Sequence, residues 1–573
     1  MSNNAQTAEE FGSDSNLTAR IKRLGSGDKK LLLSFFTVAA IALGFGITFG
    51  VLTAAGRAGI ISLDNNIAYR LLGMHGVTIF FYWLYFVQAG FVLLLAAVYT
   101  DGAGSIFLRP LAWLGFLAML AGIIISEYGL ITSDTILLYD GNPSLLIDAP
   151  GDGTFFYLGY VMLSAGLLLV GTPALATALR PKILGLGKEW TPITFAVVAW
   201  SGLLLVSAVA GANAFYPPLM WTLGWGAPVV GYAMSWSVLF HNVHYLPLMA
   251  TVVLWYILME NLTGVKSVFG QGFSKVVFAI YMIFVPPTSL YHLFLEPGMS
   301  ESVLAVGSLL SLFIAVPTIL VFVVIVASLE SYARARGGRG LFGWIKMLPW
   351  KNPVMAALGM ATVNLSLGGV FSMVLIQNKL AVLLSDTFYV PGYFHFLTVG
   401  GVSLTFIAML IYVIPSLTGN QVWRPRILAL LPKFLTTGLA LFGIGGIAAG
   451  YHGIPRRVFN LGYHVDDAIE HVDPPFIWGA LMGFVGAGSL VMATVMFIYV
   501  YALFRMLFST NARIGIDVTK LRVVDWGGTI VGRQSAWVGP LAIGVMVSGM
   551  YFFTILSFQI LDSVSIITRG AGH

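Results

Sequence analysis

Five of the nine histidines in this sequence lie inside apolar stretches, and they are the residues best placed to do chemistry. His395 ends the run Tyr389-Val-Pro-Gly-Tyr-Phe-His395, where Pro391 and Gly392 punctuate the passage from a turn into a long apolar segment. His75 stands in Gly-Met-His-Gly. His241 and His244, followed by Tyr245, are spaced i, i+3 and so share a helix face. His292 follows Tyr291. An imidazole at lipid depth is costly without a partner, and neutral imidazole is a good ligand for metals and heme iron.

Composition says what must position these groups. The chain has 573 residues, 58% hydrophobic and 9% charged, with 65 Gly and no Cys. That is an all-α polytopic membrane protein. Without cysteine there is no disulfide, iron–sulfur cluster, c-type heme attachment or thiolate copper centre, so a redox cofactor must be held by His, Tyr, Met or carboxylate. No cleavable signal peptide is evident. Residues 1–28 read as a polar cytoplasmic tail and 29–573 as a single integral-membrane domain.

Thirteen spans of helix length follow, near 31–56, 69–100, 106–131, 154–178, 191–215, 228–260, 273–296, 300–328, 354–378, 392–416, 428–452, 476–505 and 536–562. With that count the basic loop residues alternate to one side. They include Lys29 and Lys30, then Arg180, Arg334, Arg424 and Arg513 in later loops, whereas Asp134, Asp140, Asp148, Asp152, Asp466, Asp467, Glu470 and Asp473 fall opposite. This predicts a cytoplasmic N-terminus and an outer C-terminus. The same alternation means that the +6 net charge is not a nucleic-acid signal.

Orientation gives the histidines a depth. His75, His241, His244, Tyr245, His292 and His395 all come out at or above the middle of the membrane, on the outer side. One intramembrane histidine is as often a satisfied hydrogen-bonder between helices as a ligand. A common depth across several spans favours the cofactor. Arg456 and Arg457 follow the eleventh span on the outer side, against the charge trend, where the carboxylates of a heme between His75 and His395 would end. His452, His464 and His471 near this loop read as surface residues.

In these motifs the chain resembles subunit I of the heme–copper oxidase superfamily, most of all its B-type branch, over nearly all thirteen spans. His75 matches the first axial ligand of the low-spin heme and His395 its partner, in Val-Pro-Gly-Tyr-Phe-His. His241 and Tyr245 match a copper ligand and the cross-linked tyrosine. Tyr291-His-Leu-Phe-Leu-Glu-Pro-Gly298 matches a segment that normally begins His-His. Pro455-Arg-Arg457 matches the pair that binds heme propionates. The resemblance implies a subunit I-like helical bundle in a prokaryotic cytoplasmic membrane. It implies a subunit II-like partner, other small membrane subunits, and quinol or a small electron-carrier protein as donor.

The departures lie at the second centre. Tyr393 stands where the family has the proximal histidine of the high-spin heme, and Tyr291 where it has a copper ligand. His241 and His292 remain as matched copper ligands, with His244 or Tyr291 available as a third. Three outcomes are open. Tyr393 replaces the proximal histidine as a phenolate. Copper recruits a different ligand. Or both tyrosines stay neutral and pack into the vacated space, the outcome the intact His75–His395 pair favours. The resemblance also implies a polar track toward Tyr245 through Tyr256, Ser308 and Ser311, with Val252 where a tyrosine is usual. The function expected is a heme-binding respiratory subunit that passes electrons through a bis-His heme, with an altered or lost oxygen-reducing centre. A still-active terminal oxidase or gas reductase is the alternative.

Overall fold

The computed structural model describes residues 17–186, 189–229, 231–265, 267–287, 300–459, 475–509, 515–521 and 538–570. In lipid each backbone N–H and C=O must be satisfied within its own segment, which is why the apolar stretches become helices. They are α1 Ser26–Arg57, α2 Asn65–Tyr99, α3 Arg109–Thr132, α4 Thr154–Ile183, α5 Pro192–Thr222, α6 Tyr232–Thr263 and α7 Gly270–Phe284. Then come α8 Glu301–Ala335, α9 Pro353–Ser372, α10 Tyr389–Thr418, α11 Pro425–Tyr451, α12 Phe476–Phe508 and α13 Val538–Gly570. Each of the thirteen expected spans coincides with one of them. Among the described residues 12 are long and apolar enough to cross a membrane. The seventh, α7, is a shorter apolar helix of 15 residues that ends at Phe284, before the end of the expected 273–296 span.

Three helices form the interior. In α2, 94% of the most apolar window is buried, and in α6 and α10 83%, against 39% in α3 and 6% in α13. The outer helices turn large apolar side chains outward, such as Ile124 and Val545, as a lipid-facing surface requires. Their order around the interior follows the packing of α3 on α4, α4 on α5, α5 on α6, α9 on α10, α11 on α12 and α12 on α1. The innermost helices are the ones that carry His75, His244 with Tyr245, and His395.

Two boundaries differ from the reading of the sequence. The expected tail is not all apart from the bundle: Leu17–Lys22 is a short helix, and Thr18 bonds the Tyr412 hydroxyl at the end of α10. In addition, Pro391 and Gly392 do not precede α10 but lie within its first turns. Gly392 is there for contact rather than for turning. A Cβ on it would come within 2.6–2.9 Å of the α11 backbone at Gly443, Gly446 and Ile447. That close approach is the small-residue helix packing that membranes favour.

Candidate functional site

Both inner histidines sit at a change of helix type. Residues Asn65–Gly76 of α2 are α-helical and end one residue after His75, and Val77–Trp83 continue as a π-helix. In α10, Tyr389–His395 are α-helical and Phe396–Ser403 are π-helical. A π stretch turns the side chains before it relative to those after it and is frequent at functional sites. Here two of them re-aim His75 and His395 toward each other.

The two imidazole rings lie 6.4 Å apart between centres, with an 11° angle between their planes. Each is held by its Nδ1. His75 Nδ1 bonds the Gly46 carbonyl of α1 at 2.8 Å, and His395 Nδ1 bonds the Pro391 carbonyl at 2.8 Å. A carbonyl only accepts, so both Nδ1 atoms carry the proton and both Nε2 atoms keep a free lone pair. That is the orientation device found on histidine ligands of metals. Gly50 completes the cradle, since a Cβ there would fall 2.6 Å from the His75 ring. Phe442 of α11 packs on the His395 ring at 4.3 Å.

Both rings line a cavity of about 1100 Å³. Arg456 and Arg457 line it as well. The loop that bears them is tied to the start of α10: Phe388 N–H bonds the Ile454 carbonyl at 2.7 Å, and Arg456 N–H bonds the Asp386 carbonyl at 2.9 Å. Arg57, the last residue of α1, donates to the carbonyls of Pro455 and Arg456 at 3.2 and 2.7 Å. Arg456 pairs with Asp386 at 3.0 Å and Arg457 with Asp140 at 2.8 Å. The Nε atoms of both arginines are nonetheless buried with no hydrogen-bond partner among the described residues. Two orphaned guanidinium donors facing one cavity fit a group that brings its own carboxylates, as a heme does.

The same cavity has a second group of lining residues, Tyr393, Tyr245, His244 and Thr318, with Met546 and Met550 of α13. His244 is enclosed by Phe240, Phe80 and Phe394, at ring distances of 3.6, 4.6 and 5.1 Å. Tyr393 packs on Tyr389 at 5.8 Å and Phe394 at 6.4 Å. Tyr393 lines this space; Tyr291, the other tyrosine expected to pack into vacated volume, falls outside the described residues. Tyr291, His292, His464 and His471 lie outside the described residues, as do the side chains of His241, Ser308 and Ser311. Of the polar track, Val252 and Tyr256 are buried; Tyr281 of α7, which the sequence reading did not include in it, bonds Thr318 at 2.8 Å.

Residues 30–485 match the family described as Cytochrome C and Quinol oxidase polypeptide I. The chain belongs to that family. It is 29% identical over 505 residues to a cytochrome c oxidase subunit 1 from Thermus thermophilus, covering 85% of this chain and 86% of the relative. A cytochrome c oxidase subunit 1 from Bacillus subtilis is 25% identical over 435 residues, covering 68% of this chain and 62% of its own. A quinol oxidase subunit 1 from Bacillus spizizenii is 22% identical over 415 residues, covering 69% and 56%. A heme-copper terminal oxidase dimer solved by cryo-EM shares the fold, with TM-score 0.76 at 20% identity over 93% of this chain and 92% of its own. The chain is therefore an integral membrane protein with a heme–copper oxidase subunit I fold.

Reading the sequence missed several parts of this site. Gly46 and Gly50 gave a readable signal, a Gly-x-x-x-Gly spacing in the first span, which marks close approach in membrane helices. Arg57 gave none, because its role depends on where a loop some 400 residues later returns. The pairing of Asp140 with Arg457 was equally hidden.

Proposed function

We propose that this chain is a heme-binding subunit of a respiratory membrane oxidoreductase. It passes electrons through a low-spin heme whose axial ligands are His75 and His395. One observation carries the reading: the two imidazoles are nearly parallel and 6.4 Å apart, each with Nδ1 tied to a carbonyl. Two imidazoles bound through nitrogen to opposite sides of one metal, each at about 2 Å, have ring centres roughly 6–6.5 Å apart. A heme held there supplies reversible one-electron oxidation and reduction of its iron. Gly46 and Pro391 fix the tautomer and aim of the ligands, Gly50 leaves room for the ring, and Arg456 and Arg457 offer their free Nε–H groups to propionates.

The second centre is not an ordinary oxygen-reducing one in this reading. That needs a proximal histidine, where this chain has Tyr393, and three copper histidines, where it retains His241 and His292 with Tyr291 beside them. The open space beyond Tyr393 favours a second reading for this half of the cavity, a further heme bound through a Tyr393 phenolate, with Tyr245 nearby as a proton donor. Electrons enter from quinol or a small carrier protein, in complex with a subunit II-like protein and other small membrane subunits. The N-terminus is cytoplasmic and the C-terminus outside, in a prokaryotic cytoplasmic membrane.

Counting heme and copper in the purified protein, with optical and EPR spectra, tests both. One bis-imidazole heme per chain and no copper is expected. A second heme with a phenolate-to-iron charge-transfer band would establish the second reading. Two hemes, stoichiometric copper and fast oxygen reduction would refute the altered centre.

A further inference from the structure

Glu127 lies within α3, a membrane span, with five residues of helix left before its end at Thr132. The hydroxyl of Thr78 donates to Oε1, while Oε2 is buried and has no hydrogen-bond partner among the described residues. A carboxyl group at such depth is expensive to ionise, and one with an unmet oxygen more so. Thr78 stands three residues beyond His75, one turn along the same inner helix. Nothing in the bis-histidine site uses this acid.

Among the described residues no countercharge pairs with it. The ionisable groups that face it are Tyr82 from the π stretch of α2 and Tyr160 from α4. Tyr82 accepts from the Ser126 hydroxyl, next to Glu127 on α3. Arg70 of α2 is committed elsewhere, donating to the carbonyls of Leu130, Ile131 and Ser133 where α3 ends. The pair of buried Asp28 with exposed Arg109, between α1 and α3, is at the opposite end of α3. Tyr128, on the same helix, points outward. Through Thr78, Glu127 is one turn along α2 from His75, so a change of charge between His75 and His395 acts close to its donor.

We propose that Glu127 is a redox-linked protonation site for that centre. The proposal rests on the bis-imidazole reading above. When a one-electron donor reduces the iron, the local positive charge falls by one, and the carboxylate of Glu127 takes one proton from the outer water to become a neutral acid. Reoxidation returns both the electron and the proton. The Thr78 hydroxyl serves both states, since it can donate to a carboxylate or accept from an acid. The unpartnered Oε2 penalises the ionised form, so the nearby charge decides which form prevails.

The test is a redox titration of the intact purified protein at a series of pH values, with infrared redox difference spectra. The midpoint of the bis-imidazole heme is expected to fall with pH over part of the range, at most tenfold in the equilibrium per pH unit, or about 59 mV. A carboxylic C=O band is expected in the difference spectrum. Glu127→Gln should flatten the slope and remove the band, whereas Glu127→Asp should keep a displaced band. An unchanged slope or band in Glu127→Gln overturns the proposal, as does a wild-type midpoint independent of pH. If Glu127→Gln does not retain heme, Thr78→Val keeps the acid and removes its donor, and must move the sloping region to higher pH; an unmoved profile overturns the proposal. Absence of any bis-imidazole spectrum in the wild type would show at the outset that the underlying reading has failed, and this one with it.

Discussion

The two sides of the central cavity are built from different groups. On the side of His75 and His395, every degree of freedom of the ligands is fixed. Each Nδ1 has a carbonyl, each ring has a packing partner or a glycine cradle, and each histidine stands at an α-to-π transition. On the side of Tyr393 and Tyr245, the groups that line the space are phenols and a histidine walled by phenylalanines. Preorganisation marks a group in use, because holding two imidazoles parallel with lone pairs free has a cost that only a shared ligand offsets. In the function proposed above, electron transfer belongs to the first side, and the second is where Tyr393 stands in place of a histidine.

Removing a ligand should break the comparison most severely. His75→Ala or His395→Ala is expected to abolish the six-coordinate low-spin spectrum, since each supplies one axial bond. A normal spectrum from either variant, read by absorption and EPR, would sink the assignment. Disturbing the cradle should cost less. Gly50→Val puts a carbon against the His75 ring, so the ring must swing off its Gly46 carbonyl. Losing such an orienting bond lowers metal affinity about 10–100-fold, measurable as heme loss on dilution or gel filtration.

Replacing both Arg456 and Arg457 with Gln should have an intermediate effect that reads out the other end of the heme. Each charge-assisted bond to a carboxylate is worth about 1.5–3 kcal/mol, so heme retention should weaken or the midpoint should shift. Unchanged occupancy and potential would mean that Asp386 and Asp140 are the arginines' full complement. Tyr393→Phe should have the smallest effect on the low-spin heme, leaving its spectrum and midpoint unchanged. Loss of a separate charge-transfer band in that variant would instead sharpen the comparison, by showing that the second side also carries iron.

Much of this was legible in the chain. The apolar stretches had to become spanning helices, because lipid offers no partner for a free peptide group. Loop charge and span count put His75 and His395 at one depth, and the Gly-Ile-Pro-Arg-Arg457 loop carried its own signal by standing against the charge trend. What sequence could not settle was direction. Helical periodicity predicts a shared face on the assumption of an unbroken α-helix, and both ligand helices change to π-helix at the residue after or next but one after the histidine. The same holds for contacts closed over long separations. Arg57 meets the 455–456 loop, Asp140 meets Arg457, and Glu127 meets Thr78 only when the bundle is assembled. Residue type and hydropathy determined the membrane, the helices and the chemical inventory. Only the packing of α1, α2, α10 and α11 against one another decided that two imidazoles would face across one cavity, because that arrangement is set by which backbones glycine allows to approach.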